Sequence, residues 1–474
     1  MAQTLDVDIC VLGAGSGGLV VAAAAGLLGR PVALIERGRM GGDCLNYGCV
    51  PSKSLIAAAR MAILGQKAAR FGVHYDAPEI DFQKVHDHVQ GVIASIAPKD
   101  SQERFDGMGC TVIRAEGRFI SPTEVEAGGI VIRARRFVIA TGSSPAIPPV
   151  EGLAEVPYLT NETIFDLTVR PDHLIIVGGG PIGIELAQAE RRLGAEVSVI
   201  ELYSILASDD LEAVGIVRQA VRREGVMLHE HTKLLRVERD GSGIAVAIEK
   251  DGRTSRIAGS HLLLAAGRRA NVDRLGLESA GIVHTAKGVS VDRRLRTSNK
   301  RVFAVGDVAG SYQFTHAAGY HAGIVVRNAL FRLPAKVDDR AMPWVTYSDP
   351  ELAHVGLKEE DARNAHHRIR ILRWALAEND RAQAERETSG FIKVVTTKGG
   401  KILGATIVGA HAGELILPWT LAISQGLKVG ALASLIAPYP TLSEISKSVA
   451  GSYFTPSLFS ERTKKLVRWL ARLG

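Results

Sequence analysis

Apolar runs and glycine clusters alternate along the first forty residues. The pattern predicts a buried strand over 7–12, a helix over 19–28, and a second strand over 32–35 that ends in Glu36. Between the first strand and the helix lie Gly13, Gly15 and Gly18. Glycines at this spacing allow a tight turn and let a pyrophosphate approach the helix N-terminus, while the acid binds ribose hydroxyls. The segment therefore reads as a dinucleotide-binding unit.

The same pattern recurs in the middle of the chain. A strand over 174–177 precedes a glycine cluster, a helix over 184–193, and a strand over 197–200 that ends in Glu201. The cluster contributes the candidate ligand-binding glycines Gly178, Gly180 and Gly183. In both copies the acid follows the first glycine by 23 residues. Two units predict two bound dinucleotides, and Glu201 should repel a 2′-phosphate, which favours NAD over NADP at the second unit.

Three further strands end in small or acidic residues. The runs 137–142, 261–267 and 302–307 each lead into a glycine, and the last ends at Asp307. Glycine at a strand end suits close approach to a cofactor, and an ordinary turn is the alternative.

The chain after about residue 343 contains no third fingerprint. Strands are predicted over 368–374, 390–396 and 401–408, and a helix over 414–425. This pattern predicts a separate α+β domain that binds no nucleotide. The loops near 143–152 and 333–343 are the predicted boundaries.

Composition narrows the function classes. The chain has 474 residues, 46% of them hydrophobic, and only four cysteines, which favours a reducing cytoplasm over a secreted disulfide scaffold. No signal peptide is predicted at the N-terminus. The net charge of +7 comes partly from arginine pairs scattered along the chain, so no nucleic-acid partner is expected. We predict no resident metal site.

Two cysteines, Cys44 and Cys49, lie among glycines just before an alanine-rich helical run. On an ideal helix this offset separates the Cα atoms by roughly 8–9 Å, which exceeds disulfide reach. If they bridge, Cys44 must lie in the loop and Cys49 at the mouth of the helix. There the helix N-terminus lowers the thiol pKa, as a reversible dithiol switch requires. A static disulfide or two inert buried thiols are the alternatives.

These motifs resemble the FAD-dependent pyridine nucleotide–disulfide oxidoreductases of class I, in the branch of mercuric reductase and dihydrolipoamide dehydrogenase. The resemblance implies an α/β fold with two Rossmann-like dinucleotide-binding domains, followed by an α+β dimerisation domain. It assigns 1–150 and 276–340 to the FAD-binding domain, 151–275 to the NAD(P)-binding domain, and 341–474 to dimerisation. It implies a homodimer with shared active sites. The implied FAD contacts are Gly13, Gly15, Gly18, Glu36, Lys53, Gly117, Thr141, Gly142, Asp307 and Ala317, and the implied NAD contacts are Gly178, Gly180, Gly183, Glu201 and Gly267.

The resemblance also implies an electron path. Electrons pass from NAD(P)H through FAD to a disulfide between Cys44 and Cys49. Cys49 becomes the thiolate beside the flavin and Cys44 exchanges with substrate. Lys53, one turn past Cys49, would pair with Glu185 near the flavin.

One departure bears on the substrate. Where dihydrolipoamide dehydrogenase and glutathione reductase carry an acid–base histidine, this chain has Tyr439, although the orienting acid, Glu444, is present. A phenol with a pKa near 10 is a poor proton shuttle at neutral pH. Ala437-Pro438-Tyr439 instead resembles mercuric reductase, as does Pro157-Tyr158, but no cysteine follows Cys110 to form that enzyme's delivery pair.

We therefore predict a mercuric reductase-like enzyme that reduces a small disulfide or a thiol-bound metal, with Tyr158 and Tyr439 as candidate catalytic residues. Dihydrolipoyl dehydrogenase activity is the alternative. A docking subunit of a larger complex is the alternative of another class.

The stretch 460–473 has the pattern of a basic amphipathic helix. Weak contact with a membrane surface is one interpretation, and a helix docked on its own subunit is the other.

Overall fold

The computed structural model describes residues 3–310, 312–365 and 368–473. Two compact units divide the chain: the first is Met1–Leu202 with Met227–Val337, and the second is Tyr203–Val226 with Asp338–Gly474. Each is described by itself.

The strands, in chain order, are β1 (Gln3–Leu12), β2 (Val32–Ile35), β3 (Cys110–Ile113), β4 (Gly117–Ser121), β5 (Glu124–Ala127), β6 (Ile130–Ile139), β7 (Ser143–Pro145), β8 (His173–Val177), β9 (Glu196–Ile200), β10 (Met227–His229), β11 (Lys233–Asp240), β12 (Gly243–Lys250), β13 (Arg253–Gly259), β14 (His261–Leu264), β15 (Arg268–Ala270), β16 (His284–Thr285), β17 (Gly288–Val289), β18 (Val302–Ala304), β19 (Pro343–Thr346), β20 (Glu351–Gly356), β21 (Ile369–Ala375), β22 (Phe391–Thr397) and β23 (Ile402–Gly409).

The helices are α1 (Ser16–Leu27), α2 (Gly42–Asn46), α3 (Cys49–Ala62), α4 (Leu64–Ala68), α5 (Phe82–Ile96), α6 (Gln102–Gly107), α7 (Pro181–Arg192), α8 (Leu211–Arg223), α9 (Thr315–Ala329), α10 (Glu359–Ala365), α11 (Asp380–Glu385), α12 (Ala412–Leu415), α13 (Leu417–Ser424), α14 (Val429–Ala433), α15 (Glu444–Ser452), α16 (Thr455–Leu458) and α17 (Glu461–Leu470).

The largest sheet of the first unit is parallel at its centre. Its strand order is β3-β2-β1-β6-β5-β4, and β18 pairs with the C-terminal part of β6. Along β1, Cys10 and Leu12 belong to one core, while Ile9 and Val11 belong to another with residues of α1 and α9. A parallel strand that is covered on both faces has a continuous apolar sequence, which explains the run that marks this strand in the sequence.

A second parallel sheet holds the repeat of the fingerprint. Its order is β10-β9-β8-β14, and α7 connects β8 to β9. An antiparallel sheet, β11-β12-β13, shares its core, since Val237 and Val246 cluster with Ile175 and Val177. The two parallel sheets with their helices confirm the predicted pair of Rossmann-like units.

The second unit is built on an antiparallel sheet of order β19-β20-β23-β22-β21. Trp419 of α13 and Val449 of α15 are buried in its core, so the predicted α+β architecture is confirmed. The single helix predicted over 414–425 is wrong. It is two helices, α12 and α13, because Pro418 at the start of α13 has no amide hydrogen to continue the ladder.

Residues 203–226, which carry α8, belong to the second unit. Lys393 of β22 forms ion pairs with Asp210 and Glu212, both at 2.9 Å, and Trp344 Nε1 donates to Asp209 Oδ1 at 2.7 Å. These side chains fasten the acidic start of α8 to the antiparallel sheet. The predicted boundaries 151–275 do not anticipate this grouping, and the limits of the domains stay predictions.

Candidate functional site

The two glycine fingerprints have the same backbone geometry. Gly13 and Gly178 have φ of +108° and +114°, and their amides donate to Ile35 O at 2.8 Å and Ile200 O at 2.9 Å. A Cβ on either glycine would lie 2.3 Å from a carbonyl oxygen of the neighbouring strand end. Only glycine tolerates both the dihedral angle and the approach.

The helix that follows each glycine turn packs closely against the backbone of that turn. A Cβ at Gly18 would lie 1.9 Å from Gly13 O, and one at Gly183 would lie 1.9 Å from Gly178 O. The first turns of α1 and α7 therefore sit directly against their loops, with the helix N-termini open for an anion.

The two acids also occupy equivalent positions. Glu36 Oε2 accepts from the amide of Ala14 at 2.7 Å, and Glu201 Oε2 accepts from the amide of Gly179 at 2.6 Å. Each carboxylate is thus fixed beside its glycine loop, where a ribose would lie. A Cβ at Gly180 would meet nothing within 4 Å, which leaves space for a pyrophosphate. Both loops fit a dinucleotide.

The cysteine segment is packed against the first fingerprint. The amide of Gly41 donates to Ala14 O at 3.0 Å. Gly42 has φ of +61°, and a Cβ there would lie 2.7 Å from Gly15 Cα. Any larger residue at these positions would push the thiols away from the loop.

The expectation that Cys44 lies in a loop is wrong, because it lies in the one-turn helix α2. Cys49 opens α3, as predicted. Between them Gly48 breaks the helix with φ of −127° and ψ of −109°. A Cβ on Gly48 would lie 3.4 Å from Cys44 Cα and 3.0 Å from an Asp43 carboxylate oxygen. The chain folds back at this glycine, so the two thiols approach each other despite their helical surroundings.

Both thiols are free in this structure, and their pKa values diverge. The pKa of Cys49 is lowered to about 6 by a hydrogen bond from Cys44, by one from Thr315, and by the charge of Lys53. The same hydrogen bond, together with burial, raises the pKa of Cys44. Thr315 Oγ1 lies 3.3 Å from Cys49 Sγ. The pair therefore holds one proton and one negative charge near neutral pH, with the charge on Cys49.

Lys53 and Glu185 are brought together, as the resemblance implies. Lys53 Nζ lies 2.7 Å from Glu185 Oε2, and the glutamate is buried while the lysine is partly exposed. The pair joins α3 to α7, and so links the helix of the thiols to the helix of the second fingerprint.

A polar network surrounds the predicted Asp307. Ser143 Oγ donates to Asp307 Oδ2 at 2.5 Å, and Arg268 Nε donates to Ser143 Oγ at 2.7 Å. Arg268 also binds Asp43 Oδ1 at 3.1 Å. Burial raises the pKa of Asp307, while Ser143 and Arg268 oppose that shift. Asn161 Nδ2 reaches the same Asp43 oxygen at 3.0 Å.

The predicted strand-end residues Thr141 and Gly142 are fixed by Asn271. Thr141 Oγ1 donates to Asn271 O at 2.8 Å, Asn271 Nδ2 donates to Thr141 O at 2.9 Å, and the Asn271 amide donates to Gly142 O at 3.0 Å. Gly142 and Gly267 have φ of +67° and +113°, and a Cβ on either would meet nothing within 4 Å. Both glycines leave open space beside the backbone.

Gly117 and Ala317 are buried. Gly117 begins β4, where a Cβ would lie 3.1 Å from Ile35 Cγ2, and Ala317 lies in the first turn of α9, two residues after Thr315.

Tyr439 and Glu444 lie in the second unit. Tyr439 is 71% exposed, and its hydroxyl donates to Asp380 Oδ2 at 3.0 Å, which raises the pKa of the phenol. Glu444 Oε2 accepts from the amide of Thr441 at 3.2 Å. Tyr158 lies in the first unit, and within the described part of the chain it makes no hydrogen bond to either thiol.

Sequence reasoning missed the groups that orient the site: Thr315, Asp43, Arg268, Ser143 and Asn161. Gly267-Arg268 and Asp43 stand in motifs that the sequence singles out, but their pairing spans more than a hundred residues and leaves no local pattern.

Comparisons with known proteins agree with this geometry. The family model for pyridine nucleotide-disulphide oxidoreductase matches residues 7–322, and the model for the dimerisation domain of that family matches 342–450. A mercuric reductase of Streptomyces lividans is 35% identical, over 94% of this chain and 96% of that protein. A dihydrolipoyl dehydrogenase of Geobacillus stearothermophilus is 33% identical over the same shares. The Cu(II) complex of the HOCl-induced flavoprotein disulfide reductase RclA from Escherichia coli superposes with a TM-score of 0.84 at 26% identity, covering 94% of this chain and 99% of that one.

Proposed function

Because the chain belongs to the pyridine nucleotide-disulphide oxidoreductases and so uses FAD and NAD(P)H, we propose that it passes electrons to a small disulfide or a thiol-bound soft metal ion, as mercuric reductases do. Bound FAD supplies the chemistry that links a hydride donor to a disulfide. The first glycine loop with Glu36, Thr141, Gly142 and Asp307 would hold it, and the second loop with Glu201 would hold the nicotinamide dinucleotide.

The thiol pair carries out the second half of the reaction, in which electrons pass from the enzyme to the acceptor. Cys44 hydrogen-bonds to the Cys49 thiolate, which can take the proton of Cys44 as that sulfur attacks a substrate disulfide. The first substrate sulfur takes that proton from Cys49 as it leaves as a thiol. The Cys49 thiolate then attacks Cys44 of the mixed disulfide, and the second substrate sulfur leaves as a thiolate that water protonates. One substrate disulfide is reduced to two thiols while one Cys44–Cys49 bond forms. A soft metal ion would instead be held by both sulfurs and take up two electrons that originate from NAD(P)H.

The observation that carries the choice of acceptor is the state of Tyr439. Its hydroxyl donates to Asp380, and a phenol, whose ordinary pKa is near 10, is protonated at neutral pH; the neighbouring carboxylate raises that pKa further. It therefore cannot accept the thiol proton of dihydrolipoamide as an imidazole would. The chain keeps Glu444, which supports dihydrolipoyl dehydrogenase as the second candidate, but this carboxylate binds the Thr441 amide.

Steady-state rates with lipoamide, glutathione disulfide and Hg(II) under excess thiol test the proposal. We expect the Hg(II) rate to exceed the lipoamide rate by about 100-fold, which is the usual contribution of a positioned acid–base group. Tyr439→His should raise lipoamide turnover selectively, whereas Tyr453→His, a matched change in the same unit, should not. Fast lipoamide turnover by the unaltered protein would contradict the proposal.

The same variant tests the proposed sharing of active sites. The dimerisation domain supports a homodimer, and we propose that Tyr439 of one subunit serves the thiols of the other. In mixed dimers of Tyr439→His with Cys49→Ser, the intact thiols belong to the histidine-bearing chain. The gain in lipoamide turnover should then vanish, and a gain that persists would place the histidine in its own subunit's site.

The charge of Glu201 should set the nicotinamide preference. Glu201→Gln keeps an acceptor for the Gly179 amide but removes the charge that repels a 2′-phosphate. We expect the kcat/KM ratio of NADPH to NADH to rise about tenfold, which corresponds to about 1.4 kcal/mol. Glu196→Gln, which changes an exposed acid at the start of the strand that leads to Glu201, serves as the control. An unchanged ratio in Glu201→Gln would rule out this role.

A further inference from the structure

The helix α17 follows the part of the chain that matches the dimerisation domain, which ends at residue 450. None of its residues is buried. Leu466 is 52% exposed and Trp469 57%, and Val467 and Leu470 are also exposed. The expectation of a helix docked on its own subunit is therefore wrong. An apolar helix face of this kind marks an interaction surface.

The helix places three of its four bases away from its apolar residues. Leu466, Trp469 and Leu470 follow the spacing of one helix face, and Val467 borders it. Lys464, Lys465 and Arg468 lie on the opposite side. The one acid, Glu461, binds both Lys464 at 2.9 Å and Arg468 at 3.9 Å. Arg472, beyond the end of the helix, adds further positive charge, whereas Arg462 lies four residues before Leu466, at the N-terminal end of the apolar face.

The helix is formed before any partner arrives. Ser460 Oγ accepts from the Thr463 amide at 3.3 Å and caps the first turn. Thr463 Oγ1 donates to Ser457 O at 2.7 Å and ties the helix to the residues before it. The free energy of binding to a partner is therefore not reduced by the cost of nucleating the helix.

We propose that α17 lies on the surface of an anionic lipid bilayer, with its apolar face among the acyl chains and its bases on the headgroups. The charge favours this occupant over a second copy of the helix, since a copy would bring the same excess of positive charge. The helix lies on the bilayer and does not span it: its ten residues extend about 15 Å, against about 30 Å of hydrocarbon. Among all helices of the described residues, none is long and apolar enough to cross a membrane.

Co-sedimentation of the FAD-loaded full chain with vesicles tests the proposal. We expect the protein to pellet with vesicles of phosphatidylcholine that contain about one-third phosphatidylglycerol, because the anionic headgroups attract the bases, and to stay in solution with phosphatidylcholine alone. The double variant Lys464→Glu/Lys465→Glu should lower the partition coefficient by at least about 30-fold. The matched variant Lys428→Glu/Lys447→Glu, which changes two exposed lysines of the same unit, should leave binding almost unchanged.

The readouts separate binding from folding and from assembly. All variants should keep the NADH oxidation rate in solution, because none of these lysines belongs to the electron path. Equal sedimentation of the 464/465 and 428/447 variants would overturn the proposal, as would a parent protein that stays in solution with both lipids. A change from dimer to monomer on Trp469→Ala/Leu470→Ala, seen by analytical ultracentrifugation, would assign the face to a subunit interface and overturn it too.

Discussion

Replacing Cys49 with serine is expected to lower turnover of any disulfide or thiol-bound metal acceptor by about 1,000-fold or more, because the electron pair then has no disulfide to enter. NAD(P)H should still reduce the bound flavin, so diaphorase activity with dyes should survive. Cys44→Ser should give the same loss of acceptor turnover. The two variants differ in one respect: Cys44→Ser keeps the thiolate that gives a charge-transfer band with flavin, and Cys49→Ser loses it.

Anaerobic titration with NADH, followed by absorbance, measures both effects. Cys110→Ser is the control, since that thiol is buried elsewhere in the first unit and donates to Ala22 O. Acceptor turnover that persists in either the Cys44 or the Cys49 variant would show that electrons leave by another route.

The thiolate of Cys49 is expected to titrate with a pKa of about 6 in the reduced enzyme. Because the pKa is lowered from 9.0, the charge-transfer band should be present above pH 6 and disappear as the pH falls through it. Thr315→Val removes the hydroxyl 3.3 Å from the sulfur and should move the midpoint upward by about one pH unit, or about 1.4 kcal/mol. Lys53→Met should also move it upward, since it removes a nearby positive charge.

Spectrophotometric pH titration of the NADH-reduced protein gives these midpoints directly. Arg60→Met removes a cation from the same helix, two turns beyond Lys53. At that distance from Cys49 the change should leave the midpoint in place. A midpoint near 9 in the unaltered protein would contradict the assignment of the charge to Cys49.

The sequence predicts those parts of the site that depend on local backbone requirements. Gly13, Gly18 and their counterparts are recognisable because carbonyl oxygens about 2 Å from a hypothetical Cβ admit no other residue. The thiol pair is equally visible, since two cysteines precede a helix. Local patterns of this kind can be recognised in one sequence, without knowledge of the structure.

The side chains that set the pKa values and positions of the site residues could not be predicted, because they come from distant parts of the chain. Thr315 meets Cys49 across 266 residues, and Arg268 meets Asp43 across more than two hundred. The one-turn helix around Cys44 is too short for periodicity to reveal. The attachment of α8 to the antiparallel sheet depends on Lys393, a lysine that nothing in its own sequence context marks as buried.

The near identity of the two glycine loops has a consequence for ligand choice. Each offers the same turn, the same helix mouth and the same anchored carboxylate, so neither loop can distinguish a flavin nucleotide from a nicotinamide nucleotide. Discrimination must come from the residues around each loop. Gly42 lies against Gly15 at the first loop, whereas the space beside Gly180 is open at the second. Efforts to exchange flavin for nicotinamide binding in this scaffold should therefore alter the residues around the loops and leave the glycine turns intact, whereas Glu201 governs only the choice between NADH and NADPH.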